Sequence, residues 1–142
     1  MLTKKELAVV LRKNGYKVTP QRLAVYEILS EKRWHPTAEM IYERLKQNYP
    51  AMSFATVYKT VDILKKINVI QVLSTGDDSF LYDADISEHY HLQCDVCGTI
   101  YDIDMPQEIY DLTKAVEEES GFRIQRRQFY CYGVCASCSK AD

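Results

Sequence analysis

No stretch of the 142-residue chain approaches the roughly 20 consecutive apolar residues that a membrane helix needs. The opening MLTKKELAVV lacks the apolar segment and small-residue cleavage site of a secretory signal. A cytoplasmic protein that does not enter a membrane is the expectation. Low-complexity linkers are missing, and no repeat is found beyond two short cysteine pairs, so the length suits one domain or two small ones. Histidine is scarce. With three in all, the further His and Asp residues of the usual metallohydrolase pattern are absent, which argues against a hydrolase.

What is present is cysteine in an odd number, five. In a reducing cytosol such residues serve better as metal ligands than as disulfide partners. Cys94 with Cys97 and Cys135 with Cys138 form two Cys-x-x-Cys pairs, leaving Cys131, read as a strand residue packed in the core. Charge is unevenly spread: residues 1–80 carry 13 Lys+Arg against 8 Asp+Glu, a net +5, and residues 81–142 carry 5 against 12, a net −7. The first part suits a polyanion and the second suits cations.

Thr3 and Glu6 form a capping box ahead of Leu7, Val10 and Leu11, and Asn14-Gly15 ends that helix. Thr19 and Pro20 open a second helix, and Thr37 a third, AEMIYERLKQNY, closed by Pro50. Ser53 caps a fourth, with Val57, Val61 and Leu64 inward and Tyr58, Lys59, Asp62 and Lys66 opposite. VIQVL and SFLYD then read as a hairpin around STGDD. Helices followed by a two-stranded wing predict a winged helix-turn-helix domain. Beyond it, HYHLQC and TIYDI read as strands, PQEIYDLTKAVEEES as a helix with Ile109, Leu112 and Val116 inward, and FRIQRRQFYCYG as a last strand. The expected fold is α+β, with residues 1–83 forming the winged-helix domain and 84–142 a small α/β domain.

Two Cys-x-x-Cys turns offer four thiolates for a closed tetrahedral site, the arrangement of structural zinc. Such a staple would offset the marginal core of a domain of about 60 residues. Redox dithiols or plain buried cysteines are the alternative, but neither pair is expected at a helix N-terminus within a βαβ unit. His89 and His91 are two apart on a strand and share a face, while Cys94, at odd offset from His91, points away. Two metals are therefore expected, one on sulfur and one on imidazole. His35 is the remaining histidine, and Asp83 or Asp85 and Asp102 or Asp104 are candidate carboxylates. That nitrogen and oxygen set suits Fe(II), Mn(II) or a second zinc. A loop or capping histidine and solvated acids are the ordinary alternative.

The segments TPQR, HPTAE, MSFATVYKTVDIL, HYHLQCDVCGTI and YGVCASC, in this order from about residue 4 to residue 138, resemble the ferric uptake regulator family of metal-dependent repressors, and most of all its peroxide-sensing members. The resemblance implies a regulatory Fe(II) or Mn(II) ion held by His35, Asp83, His89, His91 and Asp102, one per subunit beside one structural zinc on Cys94, Cys97, Cys135 and Cys138. Asp at 102, where iron-sensing relatives usually carry Glu, is what points to peroxide sensing. The chain lacks the family's histidine-rich run before His-x-His and a further histidine within IQRRQ, so a third metal site is not expected.

The implied protein is not an enzyme but a homodimeric repressor on a palindromic double-stranded operator. The helix after Ser53 would enter the major groove with Thr56, Tyr58 and Lys59, and Arg22 would contact DNA from the helix before, with Arg12 or Lys13. The last strands and the helix from Pro106 would form the dimer interface, with Tyr130 and Tyr132 exposed. Peroxide would oxidise His35 or His91 at an iron-loaded site and end repression. An iron, manganese or zinc uptake repressor of the same family is the alternative, and a metalloenzyme or zinc-ribbon adaptor that binds no DNA is the remote one.

Overall fold

The computed structural model describes residues 1–31, 34–74, 80–125 and 127–140. The chain divides into two compact units, Met1–Ile86 and Ser87–Asp142. Ala84, Asp85 and Ile86, expected in the second part, belong to the first. Ala84 packs in its hydrophobic core, and the Asp85 N–H donates to Asp83 Oδ1 at 2.7 Å.

The first unit contains α1 (Lys4–Lys13), α2 (Pro20–Ser30), α3 (Ala38–Leu45) and α4 (Phe54–Lys66), followed by the antiparallel pair β1 (Gln71–Ser74) and β2 (Phe80–Asp83). Each helix begins where a short hydroxyl side chain can accept a backbone N–H that the first turn leaves without a partner. Thr3 accepts from Glu6 and returns its own N–H to the Glu6 carboxylate, completing the capping box. Thr19, Thr37 and Ser53 each accept one backbone N–H, from Arg22, Met40 and Thr56, at the starts of α2, α3 and α4.

α3 stops one turn before the expected end at Tyr49. After Leu45 the backbone tightens, with both the Asn48 and the Tyr49 N–H donated to the Leu45 carbonyl. Leu7, Leu11, Val25, Leu29, Ile41, Val57, Val61 and Leu64 fill one core, as the helical spacing requires. The turn of the hairpin, residues 75–79, lies outside the described residues.

The second unit is a three-stranded sheet, order β4-β3-β5, from β3 (His89–Cys94), β4 (Ile100–Asp104) and β5 (Tyr130–Gly133), with α5 (Gln107–Ser120) connecting β4 to β5 and the short α6 (Ala136–Ser139) closing the chain. β3 is central, antiparallel to β4 and parallel to β5. Putting β5 parallel to β3 requires a long crossover after β4, and α5 occupies it.

Three expectations are corrected here. α5 has no buried residue; Leu112 and Val116, expected inward, are exposed, because this small sheet alone does not cover the apolar face of the helix. The last strand is limited to four residues, since only from Tyr130 does the backbone run alongside β3. Cys131, expected in the core, is exposed: β5 lies at the sheet edge, and nothing among the described residues covers it there.

Candidate metal centres

Cys94 ends β3, and Cys97 follows in a tight turn. The Gly98 N–H donates back to the Cys94 carbonyl at 2.8 Å, and its φ of 71° is one that side-chain-bearing residues rarely adopt. The Asp95 N–H donates to the Gly133 carbonyl at 2.8 Å, which lashes this turn to the end of β5. Cys135 and Cys138 lie immediately beyond. Cys135 is the N-cap of α6 and Cys138 lies within it, so the second pair does open a helix, contrary to expectation, although that helix is a single turn with no strand after it.

One sulfur from each cysteine lies within 4.8 Å of all the others, and Cys97 Sγ is 3.9 Å from Cys135 Sγ. Zinc–sulfur bonds of about 2.3 Å at tetrahedral angles separate sulfurs by about 3.8 Å. The four residues therefore fit a structural zinc ion.

The backbone prepares the site for a cation. The Cys135 N–H reaches Cys94 Sγ at 3.3 Å. That contact, with further backbone N–H groups from Cys97 and Val96, lowers the Cys94 pKa to about 6, making it a thiolate at neutral pH. Cys135 is also lowered, by the Cys138 backbone and then by the Tyr101 hydroxyl. Cys138 is pushed up to about 12, first by its hydrogen bond with Cys135 and then by burial. A divalent cation bound by the four sulfurs would displace their remaining protons.

The imidazole set is built by strand register. His91 faces Asp102 across β4 and Tyr130 across β5, and directly opposed residues share a face. His89 Nε2 lies 3.0 Å from His91 Nε2, and Asp102 Oδ1 lies 3.6 and 3.5 Å from the two nitrogens. All three side chains are buried. His89 Nδ1 is 2.9 Å from the Ser87 carbonyl. A proton on that nitrogen leaves the Nε2 lone pair available as a ligand. Metal bonds of about 2.1 Å place donor atoms about 3.0 Å apart at right angles and about 3.4 Å apart at tetrahedral angles, so the three donor atoms are spaced for one metal ion. Asp104, opposite His89, is exposed at the strand end.

The first unit contributes an acid and a base of its own. His35 Nε2 lies 3.8 Å from Asp83 Oδ2, with both side chains buried. The Tyr82 N–H donates to the Pro36 carbonyl at 3.0 Å, which draws the His35 loop onto β2. Gln71 Nε2 donates to Asp83 Oδ2 at 3.0 Å and to the Asp85 carbonyl at 2.7 Å, and so fixes the carboxylate.

Gln71 and Ser87 were not singled out from the sequence, and Tyr130 was read only as an exposed residue of the dimer interface. Tyr130, expected exposed, is half-buried and stacks on His91 with ring centroids 5.4 Å apart; Tyr132 is exposed. Only the strand register could have revealed Tyr130, because it depends on which residue of a distant strand faces His91.

On α4, Tyr58 and Lys59 are exposed, whereas Thr56 is half-buried and its hydroxyl lies 2.9 Å from that of Ser53. Arg22 is half-buried, and its guanidinium donates to the Lys17 carbonyl. Tyr58 and Lys59 are thus the more available of the four residues expected at DNA.

The model of the ferric uptake regulator family matches residues 13–132. The peroxide operon regulator of Bacillus subtilis is 37% identical over 138 residues, covering 97% of this chain and 94% of that protein. The peroxide-responsive repressor PerR of Staphylococcus aureus is 34% identical over 128 residues, covering 90% and 86%. Among solved structures, the ferric uptake regulator Fur of Helicobacter pylori, described with three functional metal binding sites, superposes with a TM-score of 0.81 at 27% identity, covering 95% of this chain and 90% of that one.

Proposed function

The chain belongs to the ferric uptake regulator family of metal-dependent transcriptional regulators, which are not enzymes, and on that premise we propose that it is a cytoplasmic, homodimeric repressor that senses peroxide. The observation that carries the reading is the buried His89–His91–Asp102 set, whose three donor atoms converge at 3.0–3.6 Å, with Asp rather than Glu at 102. Relatives named for peroxide response at 34–37% identity support it.

In this reading His35 and Asp83 of the first unit complete the ligand set, and one Fe(II) or Mn(II) ion couples the two units. Two histidines and one carboxylate, as in His89–His91–Asp102, can hold Fe(II) with positions left open, and His35 and Asp83 would fill two of them. Structural zinc on Cys94, Cys97, Cys135 and Cys138 holds the second unit together independently.

A bound Fe(II) would lend one electron to split peroxide and regain it from the oxidised ring, chemistry for which Mn(II) is poorly suited. In net terms a ring C–H of His35 or His91 gives two electrons to peroxide and takes one of its oxygens, and the other oxygen leaves as water. An imidazole so altered is a poor ligand, the coupling between units is lost, and the protein leaves its operator. Tyr58 and Lys59 on α4 read or grip the DNA, with Thr56 and Arg22 in support. A palindromic site follows from a symmetric dimer, to which the exposed Leu112, Val116 and Tyr132 give an apolar surface.

The test uses duplex DNA selected from random pools by the Mn(II)-loaded protein. The zinc-bound chain is loaded anaerobically with Fe(II) or Mn(II), and binding is followed before and after one equivalent of peroxide, with peptide mass analysis. Release of DNA by the iron form alone, with one added oxygen on His35 or His91, is expected. Retention of DNA by both forms with no added oxygen contradicts peroxide sensing. It would favour a metal-uptake repressor, the second reading, which the similarity to a solved ferric uptake regulator supports.

A further inference from the structure

Asp83 is a buried carboxylate at the end of β2, and a buried carboxylate keeps one direction only where its oxygens are held. Both oxygens accept bonds from the first unit. Oδ1 takes the Asp85 N–H at 2.7 Å, and Oδ2, which lies 3.8 Å from His35 Nε2, takes the Gln71 amide at 3.0 Å.

Gln71 is placed for this by the hairpin. It stands directly opposite Asp83 in the β1–β2 register, so the two side chains leave the same face. Its Nε2 also donates to the Asp85 carbonyl at 2.7 Å. An ionised carboxylate and a carbonyl can only accept, so the amide nitrogen and not the amide oxygen must face them. A carboxylate at position 71 would set a second anion there. Gln71, Asp83 and Asp85 thus close one ring of bonds that fixes both the Asp83 side chain and the backbone leaving β2.

We propose that Gln71 is a positioning residue for the regulatory metal: its amide holds the Asp83 carboxylate beside His35 and so raises the affinity of the site for Fe(II) or Mn(II) without ligating the ion. A carboxylate that is already aimed loses less side-chain freedom when a cation arrives. Partners behind a metal ligand typically carry about 10–100-fold of a site's affinity. The inference rests on the proposed reading of His35 and Asp83 as ligands and on no part of peroxide chemistry or DNA binding.

The full zinc-loaded chain is titrated with Mn(II), and the unbound ion is counted by electron paramagnetic resonance. Gln71→Met, which keeps the length of the side chain and loses both N–H donors, should bind Mn(II) about tenfold more weakly than the wild type, with zinc content unchanged. Gln71→Ala should do the same. Val72→Ala separates this from packing, because Val72 points to the other face of β1 and rests on the hydrophobic core. Its loss should lower the unfolding midpoint of the chain before Mn(II) is added and leave the Mn(II) affinity at the wild-type value. Equal affinities in wild type and Gln71→Met overturn the positioning role, and so does an equal loss in Val72→Ala, which would assign the effect to packing of the hairpin. A wild-type chain that holds zinc but takes up no Mn(II) overturns the reading of the regulatory site, and the inference with it.

Discussion

The two units are held together by different physics. In the first, four helices and a hairpin enclose a continuous apolar core that includes Leu7, Leu11, Val25, Leu29, Ile41, Val57, Val61 and Leu64. In the second, among the described residues, Cys94 is the one buried residue of the hydrophobic class, and the buried polar residue is His91; both are candidate ligands. A sheet of three short strands and one amphipathic helix cannot remove enough apolar surface from water to offset its conformational entropy. Metal ligation and a second copy of the chain are the remaining sources of stability.

The largest break in this contrast comes from the zinc. Structural zinc sites contribute about 10–16 kcal/mol of apparent binding energy, so Cys94→Ser or exhaustive chelation should unfold the second unit while the first remains. Hydrogen exchange would show α5 and β3–β5 losing protection as α1–α4 keep theirs. A fully protected second unit without zinc would remove the distinction.

The first unit should answer to cavities instead. Leu64→Ala, in the last turn of α4 and fully buried, should cost about 2–5 kcal/mol, read from chemical denaturation of the first unit, and leave zinc content unchanged. A smaller and strictly local loss is expected at its cap. Ser53→Ala removes the acceptor of the Thr56 N–H and should cost about 1 kcal/mol, with fraying confined to the first turn of α4. Least of all, Leu112→Ser on the exposed face of α5 should leave unfolding of the dilute, dissociated chain within about 0.5 kcal/mol. Its effect should appear as a weaker dimer in sedimentation equilibrium.

The same contrast governs what could be read from the sequence. α1, α2 and α4 were legible almost to the residue, because Thr3, Thr19 and Ser53 signal their starts through local bonds and the apolar face repeats within one helix. The end of α3 was not, since Leu45 accepts two backbone donors from a turn that leaves the residue pattern helical. In the second unit the reading failed where burial depends on something outside the unit. Leu112 and Val116 carry the right spacing for a buried face, but spacing does not say what covers it, and Cys131 was placed in a core that a three-stranded sheet does not form.

The cysteine pairs and His89-x-His91 were legible as motifs because their donors lie close along the chain. Ser87 and Tyr130 meet those donors through a backbone carbonyl and through strand register, Gln71 meets Asp83 through its side-chain amide, and none of the three carries a sequence mark of its own.

The account stands on there being two metal sites with separate duties, and metal content per chain tests this most directly. Protein purified with zinc, then equilibrated with Mn(II) and desalted, should hold one zinc and one manganese per chain in the wild type. His89→Ala should keep the zinc and lose the manganese. Loss of zinc together with manganese in that variant would mean that sulfur and imidazole share one site, and the division of labour argued here would be wrong.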